Sequence, residues 1–302
     1  MSMTEQERYR MLAKEPMTST STYSNTFAST TTSLKHIFSN REMLGLLVRR
    51  DIKSRYKDSA LGLVWATIRP LTQLAIYYIV IGKFLGAERG IPDFAVYVFT
   101  GLTAYGLFSE IVGGGTASII GNAGLIKKVY LPREVFPLAS VGSALFNFVI
   151  QLGILIIAAT LLGAFPWSLE AVYFIPSLLV LVIYGTAFGL LLGALNVYLR
   201  DIQYLVEVGL LLMLWASPIV YSWEMARGII GGGFLMELYT NNPITLAVLG
   251  FQRTFWISGH GVVEYPEHLM LRLGIAIVIG IILLFGFQRI FAKLQGNFAQ
   301  QL

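Results

Sequence analysis

Arg49, Arg50, Lys53, Arg55 and Lys57 lie within "LVRRDIKSRYKDSALGLVWATIRPL", and Arg69 closes the stretch. Cations this dense attract anionic lipid headgroups and phosphates. The apolar run that they abut, out to Ile81, is almost free of charge. A second basic group sits in "GNAGLIKKVYLPREVFP", Gly121 to Pro137. Its core from Leu125 to Tyr130 reads as one and a half helical turns stopped by Pro132, with Lys127 and Lys128 exposed and Tyr130 projecting. Such a stub fits a groove on a partner protein. It also reads as an ordinary charged loop that fixes topology. In "NVYLRDIQ", Arg200 adjoins Asp201 as Arg50 adjoins Asp51. Each is either an interfacial charge pair or a contact to a partner or an anionic headgroup.

Glu110 and Glu207 fall inside apolar runs. Acids at membrane depth are costly and are either functional or paired within the bundle. Glu207 is about one turn from a boundary, where it can snorkel or pair with Arg200. Two isolated acids do not make a proton relay. Aromatic side chains are abundant: Trp65, Tyr77, Tyr78 and Phe84, then Tyr97, Phe99, Tyr105 and Phe108, then Trp215 and Tyr221. Sugar rings present apolar C–H faces that stack on such rings. Lipid-facing packing and an interfacial belt use the same residues.

Catalytic signals are missing. His36, His260 and His268 are scattered, and the chain has no cysteine, which removes thiolate chemistry and cysteine-held metals. The glycine runs Gly113–Gly115 and Gly231–Gly233 lack the Lys-Ser/Thr of a nucleotide loop. If this protein uses ATP, another chain binds it.

The elements that position these residues follow from composition. Of 302 residues, 55% are hydrophobic and 13% charged, against about 25% charged in a soluble domain. Mean hydropathy is +0.67. The solvent for most of the chain is therefore lipid. The formal charge of +5 sits beside the apolar runs, so topology explains it better than nucleic acid does.

Residues 1–35 read as a disordered cytoplasmic tail, rich in Ser and Thr, with no signal-peptide pattern. Residues 36–60 read as an amphipathic interfacial helix, with Leu44, Val48, Ile52 and Tyr56 recurring every fourth residue. Residues 61–302 form the membrane domain. Six spans are expected, near 61–86, 94–118, 134–163, 171–197, 202–222 and 269–291, with Pro70 kinking the first. The fold class is thus all-α integral membrane. Residues 223–268 are too polar for a simple span, yet "ITLAVLGFQRTFWI" has the length of a re-entrant helix, and Asn241, Asn242 and Pro243 signal its start. Lys and Arg placement puts both termini, and the loops holding Lys127, Lys128, Arg133 and Arg200, in the cytoplasm.

The order of these segments carries a resemblance. "RRDIKSRYKDSALGLVWATIRP", "NAGLIKKVYLPREVFPL", "YLRDIQ", "SPIVYS" and "NNPIT", taken with six spans, resemble the transmembrane subunits of ABC exporters for cell-surface polysaccharides and polyol phosphates. These include the O-antigen, capsule and teichoic acid export permeases. The likeness runs from about Arg41 to the C-terminus.

The resemblance implies a homodimer in the bacterial cytoplasmic (inner) membrane, paired with two copies of a separate cytoplasmic ATPase that holds ATP and Mg. No cofactor is implied on this chain. The ATPase would meet the interfacial helix, Arg50 and Asp51 included. It would also meet a coupling helix around Leu125, Ile126, Lys127, Lys128, Tyr130 and Arg133. Lys53, Arg55, Arg69 and Arg200 would receive the diphosphate of an undecaprenyl-linked polymer. The polymer would pass Trp65, Tyr77, Tyr78, Tyr105, Phe108, Trp215 and Tyr221. Asn242 and Pro243 would belong to an outer gate. The capsule branch differs around the first span, so O-antigen-like or teichoic-like cargo is expected. An ion-coupled secondary transporter is the alternative, with Glu110 as its candidate acid. A membrane enzyme acting on lipid-linked sugars would need paired acids or His/Asp at the membrane face, which the sequence lacks.

Overall fold

The computed structural model describes residues 41–56, 64–128, 131–161 and 168–302. The expected tail, the ends of the interfacial helix, Lys57 and Tyr130 lie outside the described residues. So does the side chain of Arg69. Among the described residues the chain is helical, without strands.

The first helix, α1 (Arg41–Tyr56), turns Leu47 inward and leaves Arg49, Arg50 and Lys53 exposed. It lies on α5 (Val135–Leu161) at Gly142, where an added Cβ would stand 2.7 Å from Val48 Cγ2. Between them in sequence come α2 (Trp65–Ile76), α3 (Phe94–Gly121) and the single turn α4 (Ala123–Ile126). Pro70 sits inside α2, and the chain then winds on as a π-helix, Tyr77–Phe84. Gly86, at φ +76°, ends that run in a conformation suited to glycine.

Among the described residues, four helical stretches are long and apolar enough to cross a membrane: α3, α5, Leu169–Tyr198, which contains α6 (Phe174–Tyr198), and Leu269–Asn297, which contains α11 (Leu269–Leu294). Their bounds fall within a few residues of the expected second, third, fourth and sixth spans. The other two expected spans differ. The first is the composite of α2 and the π-helix. The fifth is α7 (Ile202–Trp215), only 14 residues long, short of the roughly 20 that a crossing needs. Ser217-Pro218 follows directly and disfavours continued helix.

The core is built around α3. Of its most apolar stretch 78% is buried, against 28% for α5 and 22% for α11, whose remaining surface is left to the surroundings. Glycines bring α3 and α6 together: an added Cβ on Gly115 would lie 2.8 Å from Gly189 Cα. Small residues serve this purpose where lipid supplies no hydrophobic drive between helices.

Three short helices precede α11: α8 (Trp223–Ile230), α9 (Phe234–Thr240) and α10 (Pro243–Phe255). α10 matches the expected short helix. Pro243 is in its first turn, and the Asn242 side chain accepts a hydrogen bond from Ile244 N at 3.1 Å. Almost all of α10 is buried, in contact with α3 and α6. A one-turn helix, α12 (Phe298–Gln301), ends the described chain, with Phe298 buried.

Candidate functional site: two ends of one bundle

The segments expected on one side of the membrane meet at one end of the bundle. α1, α4, the start of α5 and the ends of α3, α6 and α11 share a hydrophobic cluster that includes Leu47, Ile119, Ile126, Phe136, Val197 and Phe291. Arg50 fixes α1 to the α3–α4 junction, donating from Nη2 to Asn122 Oδ1 at 2.6 Å and to Asp51 Oδ1 at 2.7 Å. Asn122 in turn donates to Ser118 O at 2.8 Å. The stub expected over Leu125–Tyr130 is helical earlier, at Ala123–Ile126. There Ile126 is buried, Leu125 is half-buried, and Lys127 and Lys128 beyond it are exposed. Arg133 lies over the Phe298 ring at 5.7 Å, and Tyr198 donates to Leu294 O at 2.8 Å. Among the described residues, Arg49, Lys53, Lys127, Lys128, Arg200 and Lys293 have no carboxylate within ion-pair distance.

The opposite end is charge-paired. Arg253 on α10 grips Glu170 through two bonds of 2.6 and 3.1 Å, with its guanidinium over Tyr173 at 4.6 Å and Tyr265 at 5.5 Å. Arg272 holds Glu237 through bonds of 2.6 and 3.2 Å, and Asn241 Oδ1 at 2.8 Å. These bonds, with one from Asn241, keep the Glu237 carboxyl below the usual carboxylate range. Arg227 meets Glu264 at 2.8 Å, and Lys83 meets Glu88 at 2.8 Å. Burial raises the Tyr265 hydroxyl pKa above its ordinary value.

The loop "SPIVYS", after α7, is pinned from two directions. The Tyr97 hydroxyl lies 2.8 Å from Pro218 O and 2.7 Å from Tyr221 O, and donates to one of them at a time. Gln252 Nε2 donates to Pro218 O at 2.7 Å. Sequence reasoning did not single out Gln252, Arg253 or Glu170, and it held Tyr97 only as one aromatic among many. The available signal was a basic and an amide residue inside a short apolar helix.

Between the ends, Arg55 at the foot of α1 pairs with Glu110 on α3, and Asn147 on α5 donates to the same carboxylate oxygen at 2.6 Å. Glu110 is thus held from two helices. Glu207 is exposed and accepts from Gln203 one turn away, at 3.3 Å, without the Arg200 pairing considered from sequence.

The aromatic set divides. Tyr77 and Trp215 meet edge to face at 6.3 Å, and Tyr221 donates to Trp215 O at 2.7 Å. Tyr78 sits under Lys83 at 5.4 Å. Trp65 is exposed, whereas Phe108 is packed in the main core. Tyr105 donates to Leu210 O and walls a cleft of about 280 Å³ between α2, α3 and α7. No group of three or more His, Asp or Glu residues able to hold a metal occurs among the described residues.

The profile of the ABC-2 type transporter family matches residues 42–256, from α1 through α10. An O-antigen export system permease protein of Klebsiella pneumoniae is 30% identical over 260 residues, which is 86% of this chain and 94% of the relative. One from Myxococcus xanthus is 28% identical over 223 residues, 74% of this chain and 84% of the relative. The polysialic acid transport protein of Escherichia coli is 23% identical over 230 residues, covering 67% and 86%.

Proposed function

The chain belongs to the ABC-2 type transporter family, and from that premise we propose that it is the permease subunit of an ATP-driven polysaccharide exporter. The cargo is an O-antigen-like or teichoic-like polymer carried on undecaprenyl diphosphate. Two copies form the path across the bacterial inner membrane, and two copies of a separate ATPase drive it. The end bearing α1 and α4 faces the cytoplasm, with both termini there.

One observation carries the reading. At the α1 end Arg50 and Arg55 are paired, but among the described residues Arg49, Lys53, Lys127, Lys128, Arg200 and Lys293 have no carboxylate partner, while Arg227, Arg253 and Arg272 are matched at the other end. An excess of Lys and Arg marks the cytoplasmic face of a membrane protein, and cations left unmatched there are open to anionic lipid and to a partner protein.

The geometry supports a coupling route. α4 would seat in the ATPase through the half-buried Leu125, with Lys127, Lys128, Tyr130 and Arg133 around it, while the buried Ile126 anchors the turn to the bundle. Arg50, held by Asp51 and Asn122, makes α1 and α4 move as one piece. α3 leaves this junction and runs 28 residues, about 42 Å at the α-helical rise. At its far end Tyr97 holds the loop before α8. A push at α4 therefore reaches the outer segment through one rigid element. Lys53, Arg69 and Arg200 supply the positive charge that a lipid diphosphate needs, and Arg55 would join them only by leaving Glu110. Asn242 and Pro243 start the helix that lies beneath the outer gate.

The ion-coupled alternative loses its candidate. Glu110 is already engaged by Arg55 and Asn147, so it suits a structural tie better than reversible ion binding.

The test is co-purification with the ATPase encoded beside this chain, with ATP hydrolysis and surface polymer measured in the same strain. The expected result is a stable active complex, and loss of surface polymer when this chain is deleted. Solitary purification with polymer export intact would contradict the reading.

A further inference from the structure

Past Leu294, where α11 ends, the chain passes through a 3₁₀ turn, Gln295–Asn297, into α12. The turn returns Phe298 to the hydrophobic cluster at the α1 end, where its ring is fully buried. Phe291 meets that ring edge to face at 5.5 Å, and Tyr198 does so at 6.2 Å. The Tyr198 hydroxyl also ties down Leu294 O, the last carbonyl of α11.

Two consecutive residues of a distant segment grip this turn. The Arg133 guanidinium lies over the Phe298 ring at 5.7 Å. Gln295 Nε2 donates to Glu134 Oε1 at 3.2 Å, 161 positions away in sequence, and Glu134 is buried. Both contacts are directional. Arg133 and Glu134 close the loop that opens with α4. The other end of that loop is fixed by Arg50 on Asn122. Between the two fixed ends, Lys127 and Lys128 stand exposed.

We propose that residues 295–301 are a clasp that sets where the α4–α5 loop stands, with Gln295 and Phe298 as positioning residues for the ATPase contact. The inference rests on the export reading above. An anchor at the membrane surface would turn its aromatic ring toward lipid, whereas this ring faces Phe291 and Tyr198. Packing alone would use the ring but not the bond to a buried carboxylate beside it. A loop held at both ends transmits a push, and a loop free at one end yields to it.

The test uses the full chain in membranes, with and without the ATPase encoded beside it. Gln295→Glu keeps the side chain's size and sets a second carboxylate against Glu134, which opens the clasp by repulsion. Gln295→Lys restores a donor to that carboxylate. Phe298→Ala removes the ring. Without the ATPase, trypsin should cut after Lys127 and Lys128 several-fold faster in Gln295→Glu and Phe298→Ala, and at the native rate in Gln295→Lys. The first two variants should also bind the ATPase about tenfold more weakly, the scale of one charge-assisted bond, and export less polymer. Should Phe298→Ala fail to fold, the Gln295 pair decides the matter. Native cleavage or native ATPase binding in Gln295→Glu would overturn the clasp. So would equal losses in Gln295→Glu and Gln295→Lys, which would mark plain packing. A native chain that binds no ATPase would instead overturn the export reading, and the trypsin comparison would still decide whether residues 295–301 hold the loop.

Discussion

The two ends of this bundle handle charge in opposite ways. At the α8–α10 end, Arg227, Arg253 and Arg272 each meet a carboxylate of the same chain, and Tyr97 and Gln252 hold the one irregular loop between α7 and α8. Those three arginines are matched within a single chain. At the α1 end, Arg49, Lys53, Lys127, Lys128 and Arg200 extend outward with no carboxylate of their own, among the described residues. The difference teaches where assembly is needed. A charged end that satisfies itself needs rigidity, whereas one that does not is built for a second surface.

The contrast can be broken most severely at the paired end. Arg253→Ala removes a two-bond grip on Glu170 and two ring contacts at a site about 30% exposed. Stranding a partly buried carboxylate costs about 2–3 kcal/mol, so thermal unfolding in detergent should fall by several degrees. Next comes the α1 seat. Gly142→Leu drives a side chain into Val48, and overpacking costs about 1–3 kcal/mol. α1 should loosen, seen as faster proteolysis of the N-terminal segment with the rest of the bundle intact.

The contrast is sharpened by changes that leave stability alone. Lys127→Glu with Lys128→Glu should move stability by no more than about 0.5 kcal/mol, as exposed sites do, yet abolish co-purification of the ATPase. Loss of folding in that variant would argue that these lysines are structural. The smallest effect belongs to Glu237. Its carboxyl is held below the ordinary range by Arg272 and Asn241, so its contribution is complete above the unfolded carboxylate pKa and disappears as pH falls through the depressed value. The stability difference between the native chain and Glu237→Gln should close over that acidic window and stay constant above it.

Much of the fold was legible in the sequence because hydrophobic length and helix signals are local. The four crossing helices appear where apolar runs placed them, and Asn242-Pro243 begins α10 as expected. The fifth run was read too long because its apolar residues continue to Tyr221, although Ser217-Pro218 stops the helix at Trp215. The first run changed its winding after Ile76 with no local residue signal. Charge pairing was not legible. Arg253 and Glu170 are 83 positions apart, and Arg55 and Glu110 are 55 apart, so only the folded chain reveals which cations are matched.

The most direct test of the central claim uses single cysteines at both ends of this cysteine-free chain, with a short thiol cross-linker and the complete permease–ATPase complex. Lys127→Cys and Arg49→Cys should cross-link to the ATPase, and Arg227→Cys should not. Cross-linking from Arg227→Cys, with none from the α1 end, would invert the orientation and contradict the account.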